Sequence, residues 1–449
     1  MQTLSDDESL LHYGQDWTRF WRPAPSRVVF PEHIEDVVEI VQQARRDGIP
    51  LVPSGGRTGL SGGATAAGGE VVVSMDRMRR VIDLDVAEPS IQVEAGMTVG
   101  ALHAAVEERG LYYPVDWAAA GSSQVGGSIA TNAGGIRVLR YGMTREWVRG
   151  LRVVTGTGEI LDLNRGLIKN NTGLDLRHLM VGSEGTLGII VAATLGLLPS
   201  PPERSVMLLG FAELGALMPT LQRLRQELEL SAFEFFDRGS IRHVSAATDQ
   251  VFPLDVEACR YFAVIEFDDP GGAAQERALD AFEALMEAGH VSDGTLSQSG
   301  GQAAELWLWR EAISESIAGR TPYKNDLSVR VSRVPGFLEQ LDKLVGEHYP
   351  DLEVIWFGHI GDGNLHMNVL RPAGVSIEEF HAMGRRLSPL VFELVQAHEG
   401  SISAEHGVGL LKRDDLHWSR SAAEIEFMRS IKRQFDPDGI LNPGKVFEL

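Results

Sequence analysis

Of the 49 glycines in this 449-residue chain, 25 fall between Gly48 and Gly188. Glycine reaches positive φ and lets backbone approach a ligand closely, at a cost in folding entropy. A region this rich in it is either dense in turns or built around a large bound molecule. Three clusters stand out: Pro53-Ser-Gly-Gly-Arg-Thr-Gly-Leu-Ser-Gly-Gly63, then a stretch from Gly121 to Gly135, then Gly182 to Gly188. Gly55 to Gly63 is either a mobile surface loop or an anion nest of successive N–H groups able to cradle a pyrophosphate. No G-x-G-x-x-G joins a strand to a helix, which excludes a Rossmann site. Gly439-Ile-Leu-Asn-Pro-Gly-Lys445 falls short of a P-loop, because Val446 stands where Ser or Thr must hold magnesium. Three clusters without either nucleotide fingerprint point to another fold for a large cofactor.

The regular elements around these clusters are of α+β type. Residues 31–48 place Ile34, Val37, Val38, Val41 and Ala44 on one helical face. Strands are predicted at 49–52, 70–74, 80–84 and 90–95, and Thr98 caps a helix that Gly110 ends. Leu198-Pro-Ser-Pro-Pro202 breaks any element and marks a domain boundary. Beyond it, strands (205–211, 261–267) alternate with amphipathic helices (213–228, 273–288). The break separates a first, glycine-rich domain over 1–202 from a second α+β domain.

Composition narrows the class. A net charge of −21 repels phosphate backbones and anionic lipid, so nucleic-acid binding is not expected. Cys259 is the single cysteine, which rules out an intrachain disulfide or thiolate metal site and fits a reducing cytoplasm. The most apolar stretch, 187–198, has 12 residues against the roughly 20 of a membrane span, so an integral membrane protein is not expected. The N-terminus is acidic where a targeting segment would be basic.

Trp356-Phe-Gly-His-Ile-Gly-Asp-Gly-Asn-Leu-His-Met-Asn368 sets His359 and His366 on either side of a Gly-Asp-Gly turn. With 365–369 as a strand, His366 and Asn368 point to one face. Two such histidines need one carboxylate to form a three-ligand site with an open position, as in catalytic zinc. Ser403-Ala-Glu-His-Gly-Val-Gly409 supplies a carboxylate and a further histidine. The alternative is that these imidazoles only hydrogen-bond within ordinary turns. Residues 307–314 are predicted helical, with Arg310 and Ser314 on one face and an extended segment from Tyr323 and Lys324 following. Arg310 is either a substrate cation or a helix residue that is solvated or salt-bridged, with Glu311 and Glu315 nearby.

The three glycine motifs, in this order, resemble the FAD-linked oxidases with a flavin domain of the vanillyl-alcohol-oxidase type. The resemblance implies an α+β flavoenzyme of that fold, with the FAD domain over 1–202, a substrate (cap) domain over 203–420 and a segment 421–449 returning to the FAD domain. It implies FAD contacts from Ser54, Gly55, Gly56, Arg57, Thr58 and Gly59 in the first loop. Gly121, Ser122, Gly126, Gly127, Ile129, Asn132, Gly134, Gly135 and Gly142 follow in the second, with Glu184, Gly185, Gly188 and Ile189 in the third and Asn442 near the C-terminus. Members that attach the flavin covalently carry a histidine in the first loop; Arg57 stands there, which implies noncovalent FAD.

The histidine motifs are similar to those of the D-2-hydroxy acid dehydrogenase branch. By position, His359, His366 and Glu405 would bind zinc or another divalent metal, and His406 would be the base. Residues 231–237, 307–314 and 323–328 most resemble the dehydrogenases of D-2-hydroxyglutarate, in which the positions matching Arg310, Ser314, Lys324 and Asn368 contact substrate. Ser314 stands where threonine is common, and the step from Ser314 to Lys324 is one residue short, which keeps D-malate and D-lactate open. Electron-transfer flavoprotein or a quinone-linked carrier is the implied acceptor, and a homodimer is compatible. Two rivals remain: a flavin subunit of a larger complex, like the glycolate oxidase components, and a metal-dependent hydrolase whose glycine loops are structural.

Overall fold

A computed structural model describes residues 1–449. The chain forms two compact units, one of Met1–Gly135, Gly142–Ser200 and Glu405–Leu449, the other of Ile136–Tyr141 and Pro201–Ala404.

In the first unit, β1 (Gln2–Leu4), β2 (Arg27–Phe30), β3 (Leu51–Ser54) and β4 (Val71–Ser74) make a sheet of order β1-β2-β4-β3. β4 runs parallel to β2 and β3. Parallel strands are covered on both faces, hence the unbroken apolar runs at 28–30 and 71–73. The crossover helix Ile34–Asp47 buries Val37, Ile40, Val41 and Ala44. It starts three residues after the predicted point because Asp36 accepts the backbone N–H of His33 at 3.0 Å, fixing the N-terminus there. Gly48, at φ 64°, ends it.

A second, antiparallel sheet follows: β5 (Val81–Asp85), β6 (Ser90–Glu94), β8 (Val148–Thr155), β9 (Ile160–Leu163) and β10 (Gly188–Gly196), in the order β5-β6-β10-β8-β9. The short β7 (Leu111–Tyr112) and β11 (Leu198–Pro199) pair with each other. One core joins Val29, Val71 and Val73 of the first sheet to Ile91, Val93, Val153, Val191 and Leu195 of the second. Each such fully buried side chain contributes about 1.5–3 kcal/mol. The apolar run 187–198 is thus largely β10, and no helix is long and apolar enough to cross a membrane.

The second unit is one seven-stranded antiparallel sheet. It comprises β12 (Arg204–Phe211), β13 (Leu230–Asp237), β14 (Tyr261–Asp268), β15 (Asp293–Leu296), β16 (Tyr323–Ser328), β17 (Val354–Gly358) and β18 (Asn364–Val369). Their order is β15-β12-β14-β13-β17-β18-β16. Ile241 and Val244 of helix Arg238–Thr248, with Leu306, Trp309 and Ile313 from 300–316, pack on one face against Leu208, Phe236, Phe262, Val264, Ile355 and Phe357.

The units divide at Ser200/Pro201, at Ala404/Glu405 and around 136–141, whereas the sequence suggested cuts after 202 and 420. Residues 136–141 join the second unit because Arg137 donates to both oxygens of Glu266, at 2.8 and 3.0 Å, and Arg140 lies 2.8 Å from Asp268. The return to the first unit starts at Glu405 because Glu184 holds the backbone of Val408 and Gly409.

Candidate active site

In the first unit the glycine loops are stacked backbone on backbone. A Cβ on Gly56 would lie 2.0 Å from the Ser122 carbonyl oxygen, and one on Gly126 2.7 Å from the Ala95 side chain. Gly135, at φ 133°, has the same relation to the Asp116 carbonyl at 2.0 Å. Arg57 takes a left-handed φ of 57°, donates to the Gly55 carbonyl at 3.0 Å and lies over Tyr13 at 4.5 Å. The Thr58 and Ser123 hydroxyls bond at 2.8 Å. Asp16 and Thr18, which the sequence did not single out, brace the same loop: Gly62 donates to the Thr18 hydroxyl at 2.8 Å, and buried Asp16 lies beside Gly59.

The third cluster and the C-terminal segment meet through side chains. Asn442 donates to the carbonyls of Gly63 and Glu184, at 2.9 and 2.7 Å. The buried Glu184 carboxylate accepts the N–H groups of Val408 and Gly409 at 2.7 and 2.8 Å. Burial pushes its pKa up to about 7 against the lowering effect of those two donors. It thereby anchors the strand of chain that begins with Glu405 and His406, whose side chains are half-buried and 4.0 Å apart. Ile129 and Ile189 are core residues, and Gly188 opens β10 against Val153, so any contact with a cofactor from these three is through backbone. Asn132, at φ 50°, accepts the Arg145 N–H at 2.9 Å, and Gly142 turns at φ 71°.

In the second unit, sheet register gathers the polar candidates. Across β16 and β18, Lys324 pairs with Asn368 and Asp326 with His366, so all four share a face. β17 adds Phe357, opposite His366. His359 follows two residues later, its ring 5.3 Å from that of His366 and nearly perpendicular. His359 Nδ1 meets Glu234 Oε1 at 2.8 Å, which leaves only Nε2 as a ligand atom. His366 Nδ1 is 3.8 Å from Asp326, whose carboxylate accepts from Asn364 at 2.9 Å.

Arg310 is buried, 4.7 Å above the Phe357 ring, with its guanidinium 2.9 Å from Glu234 Oε2. This pairing was not among the sequence alternatives, which were local to its helix. Ser314 is exposed, on the short helix Ile313–Ser316 beyond the break of Gly300–Glu311 at Ala312. Lys324 meets solvent, yet the protein mass around its ammonium desolvates the charge and lowers its pKa. Glu234 and Asp326 escaped the sequence reading. The signal for Glu234 was present: one acid in the otherwise apolar run Ala232-Phe-Glu-Phe-Phe236.

Residues 25–164 match the FAD binding domain family, and residues 200–446 match the C-terminal domain of FAD linked oxidases. The chain belongs to the FAD-linked oxidase family. It is 50% identical to a D-2-hydroxyglutarate dehydrogenase of Stutzerimonas stutzeri, over 99% of this chain and 96% of the relative. A second D-2-hydroxyglutarate dehydrogenase, of Xanthomonas citri pv. viticola, is 51% identical over 100% and 94%. Among solved structures, an alkyldihydroxyacetonephosphate synthase superposes with a TM-score of 0.75 at 18% identity, covering 98% of this chain and 82% of that one. The fold is that of the vanillyl-alcohol-oxidase type of flavoenzyme, and the chain is an FAD-linked dehydrogenase.

The first unit fits FAD on its own geometry. Ser54 Oγ, Gln124 Oε1 and Asn442 Oδ1 are buried at the glycine loops without a protein partner. Buried polar atoms of this kind are normally paired, and the two amide carbonyls want hydroxyl or N–H donors, which ribityl and isoalloxazine groups carry. Gly121 and Gly127 border open space, with no atom within 4 Å of a built Cβ.

Proposed function

We propose that this chain oxidises a D-2-hydroxy acid, D-2-hydroxyglutarate first among them, to the 2-oxo acid. The observation that carries the reading is the sheet face on which Lys324, Asn368 and His366 stand in register near His359 and the buried Arg310. Two fixed cations suit a dicarboxylate, since each carboxylate then has its own partner. D-lactate would leave one cation unmatched, and D-malate differs by a shorter reach. The full-length relatives that carry the D-2-hydroxyglutarate name support this choice.

In this reading Arg310 and Lys324 bind the carboxylates, and Asn368 and Ser314 orient the substrate. His406, as the neutral imidazole, takes the hydroxyl proton. His359, His366 and Glu405 hold a divalent metal, zinc by the preference of imidazole and carboxylate donors. When bound, the metal would supply a Lewis acid for the C2 hydroxyl and FAD would supply the acceptor for hydride from C2. Arg57 replaces the histidine used for covalent attachment, so FAD is held noncovalently and acid precipitation should release all of it. Electrons then pass to electron-transfer flavoprotein or a quinone-linked carrier, and a cytoplasmic homodimer completes the reading.

The test is the anaerobic visible spectrum of FAD- and metal-replete protein before and after D-2-hydroxyglutarate. Bleaching of the flavin band is expected. A band that persists with D-2-hydroxyglutarate but bleaches with D-malate or D-lactate moves the substrate. Protein that stays colourless after FAD saturation overturns the reading in favour of the hydrolase.

A further inference from the structure

Glu234 is a carboxylate in a strand whose neighbours Ala232, Phe233, Phe235 and Phe236 are all core residues, and only 1% of its side chain is exposed. A charge buried to that degree is strongly destabilising unless paired and hydrogen-bonded. Here the two oxygens are met differently: Oε1 takes a hydrogen bond from His359 Nδ1 at 2.8 Å, whereas Oε2 has no hydrogen bond and faces the Arg310 guanidinium as an ion pair at 2.9 Å. Arg310 in turn lies over Phe357, and its buried Nε–H has no protein acceptor. One carboxylate therefore joins His359, a ligand in the proposed metal site, to an arginine that keeps a donor in reserve.

We propose that Glu234 is a positioning residue that couples metal binding to binding of the substrate carboxylate. The inference rests on the reading above and goes beyond it in assigning this residue. Glu234 fixes the orientation and tautomer of His359, with the proton on Nδ1 and Nε2 left as the donor to a metal, as carboxylates behind metal-binding histidines do. It also pairs with the Arg310 guanidinium next to that histidine through one contact at 2.9 Å, which leaves Nε–H for a substrate carboxylate. Loss of Glu234 leaves an uncompensated buried cation beside the metal histidine, so metal affinity falls from both causes.

The experiment is Zn2+ affinity, by competition with a chelating dye, of the FAD-loaded protein and its Glu234→Gln, Arg310→Met and double variants. Flavin absorbance and far-UV circular dichroism serve as fold controls. Glu234→Gln should weaken Zn2+ binding by about 10–100-fold with the flavin retained. Arg310→Met should restore affinity severalfold in the Glu234→Gln background, where it removes the uncompensated cation, and change it less in the parent, where the carboxylate already faces that cation. Should Glu234→Gln not fold, Glu234→Asp keeps the charge at a shorter reach and should weaken binding severalfold. Affinity within twofold of the parent in the folded variant, or an Arg310→Met effect equal in both backgrounds, overturns the proposal. Flavin bleaching by hydroxy acid separates the two readings. Bleaching with unchanged Zn2+ affinity in Glu234→Gln removes only the role of Glu234; weakened affinity in a parent that no hydroxy acid bleaches removes only the substrate reading. A parent that takes up no divalent metal overturns the proposal, and the substrate reading then stands or falls with the bleaching alone.

Discussion

The two units prepare their sites by opposite means. The first does so with main chain: Gly56, Gly126 and Gly135 bring one loop's backbone against another's, and the buried Glu184 holds N–H groups of Val408 and Gly409. The second does so with side chains on a rigid sheet, where Glu234 holds His359 and Arg310. Both rely on a buried glutamate, but one grips a segment of chain and the other grips two functional groups. Backbone sites are therefore sensitive to added atoms, and side-chain sites to removed ones.

The largest effect should come from adding a methyl in the first unit. Gly56→Ala puts a Cβ 2.0 Å from the Ser122 carbonyl, so backbone must move; FAD binding should be lost, with destabilisation of at least about 4 kcal/mol by denaturant titration. Retained flavin in that variant would break the contrast. Next is a removal in the second unit. His366→Ala should keep the yellow chromophore and lower kcat by more than about 100-fold with Zn2+ affinity lost, since it takes away a proposed ligand without touching the loops.

Glu184→Gln is of intermediate size. One of its two backbone donors loses its acceptor, worth about 1–3 kcal/mol in thermal or chemical unfolding. Its pH signature has a definite sign. The folded pKa of about 7 lies above the ordinary value of 4.5, so the folded state holds the extra proton between them. The stability contribution is complete below about pH 4.5 and is lost as pH rises through 7, with a slope of up to about 1.4 kcal/mol per pH unit. Glu184→Gln should flatten that slope, and an unchanged slope would remove Glu184 as its origin. The smallest effect belongs to Gly48→Ala, which meets no atom within 4 Å but keeps φ at 64°; a loss of about 1 kcal/mol with full FAD occupancy is expected.

The same asymmetry governs what was readable in the sequence. The glycine loops were legible because only glycine tolerates such approaches, so a backbone task leaves a mark in composition. Helix 34–47 was legible from its 3.6-residue period, and its start was missed because the Asp36–His33 bond, rather than Pro31, sets it. His359 and His366 were legible as a pair around a glycine turn. Their support was not, since Glu234 lies 125 residues away from His359 and meets it only because β13 and β17 are neighbours in the sheet. Arg310 was marked as a candidate cation, but its nearest acids in sequence, Glu311 and Glu315, suggested the wrong partner.

The sequence by itself determined the α+β class, the close-packed glycine loops, the candidate metal and base residues and the family to which they point. Those features are local, and each is set by steric demands on a few consecutive residues or by side-chain alternation along one strand. Tertiary structure alone decided that residues 136–141 belong with the second unit, that the return to the first begins at Glu405, that buried Glu184 grips that returning segment, and that buried Glu234 meets His359 and Arg310 in the second unit. Those outcomes depend on strand order and register, which bring distant residues within 3 Å and make a buried charge tolerable only where its partner arrives.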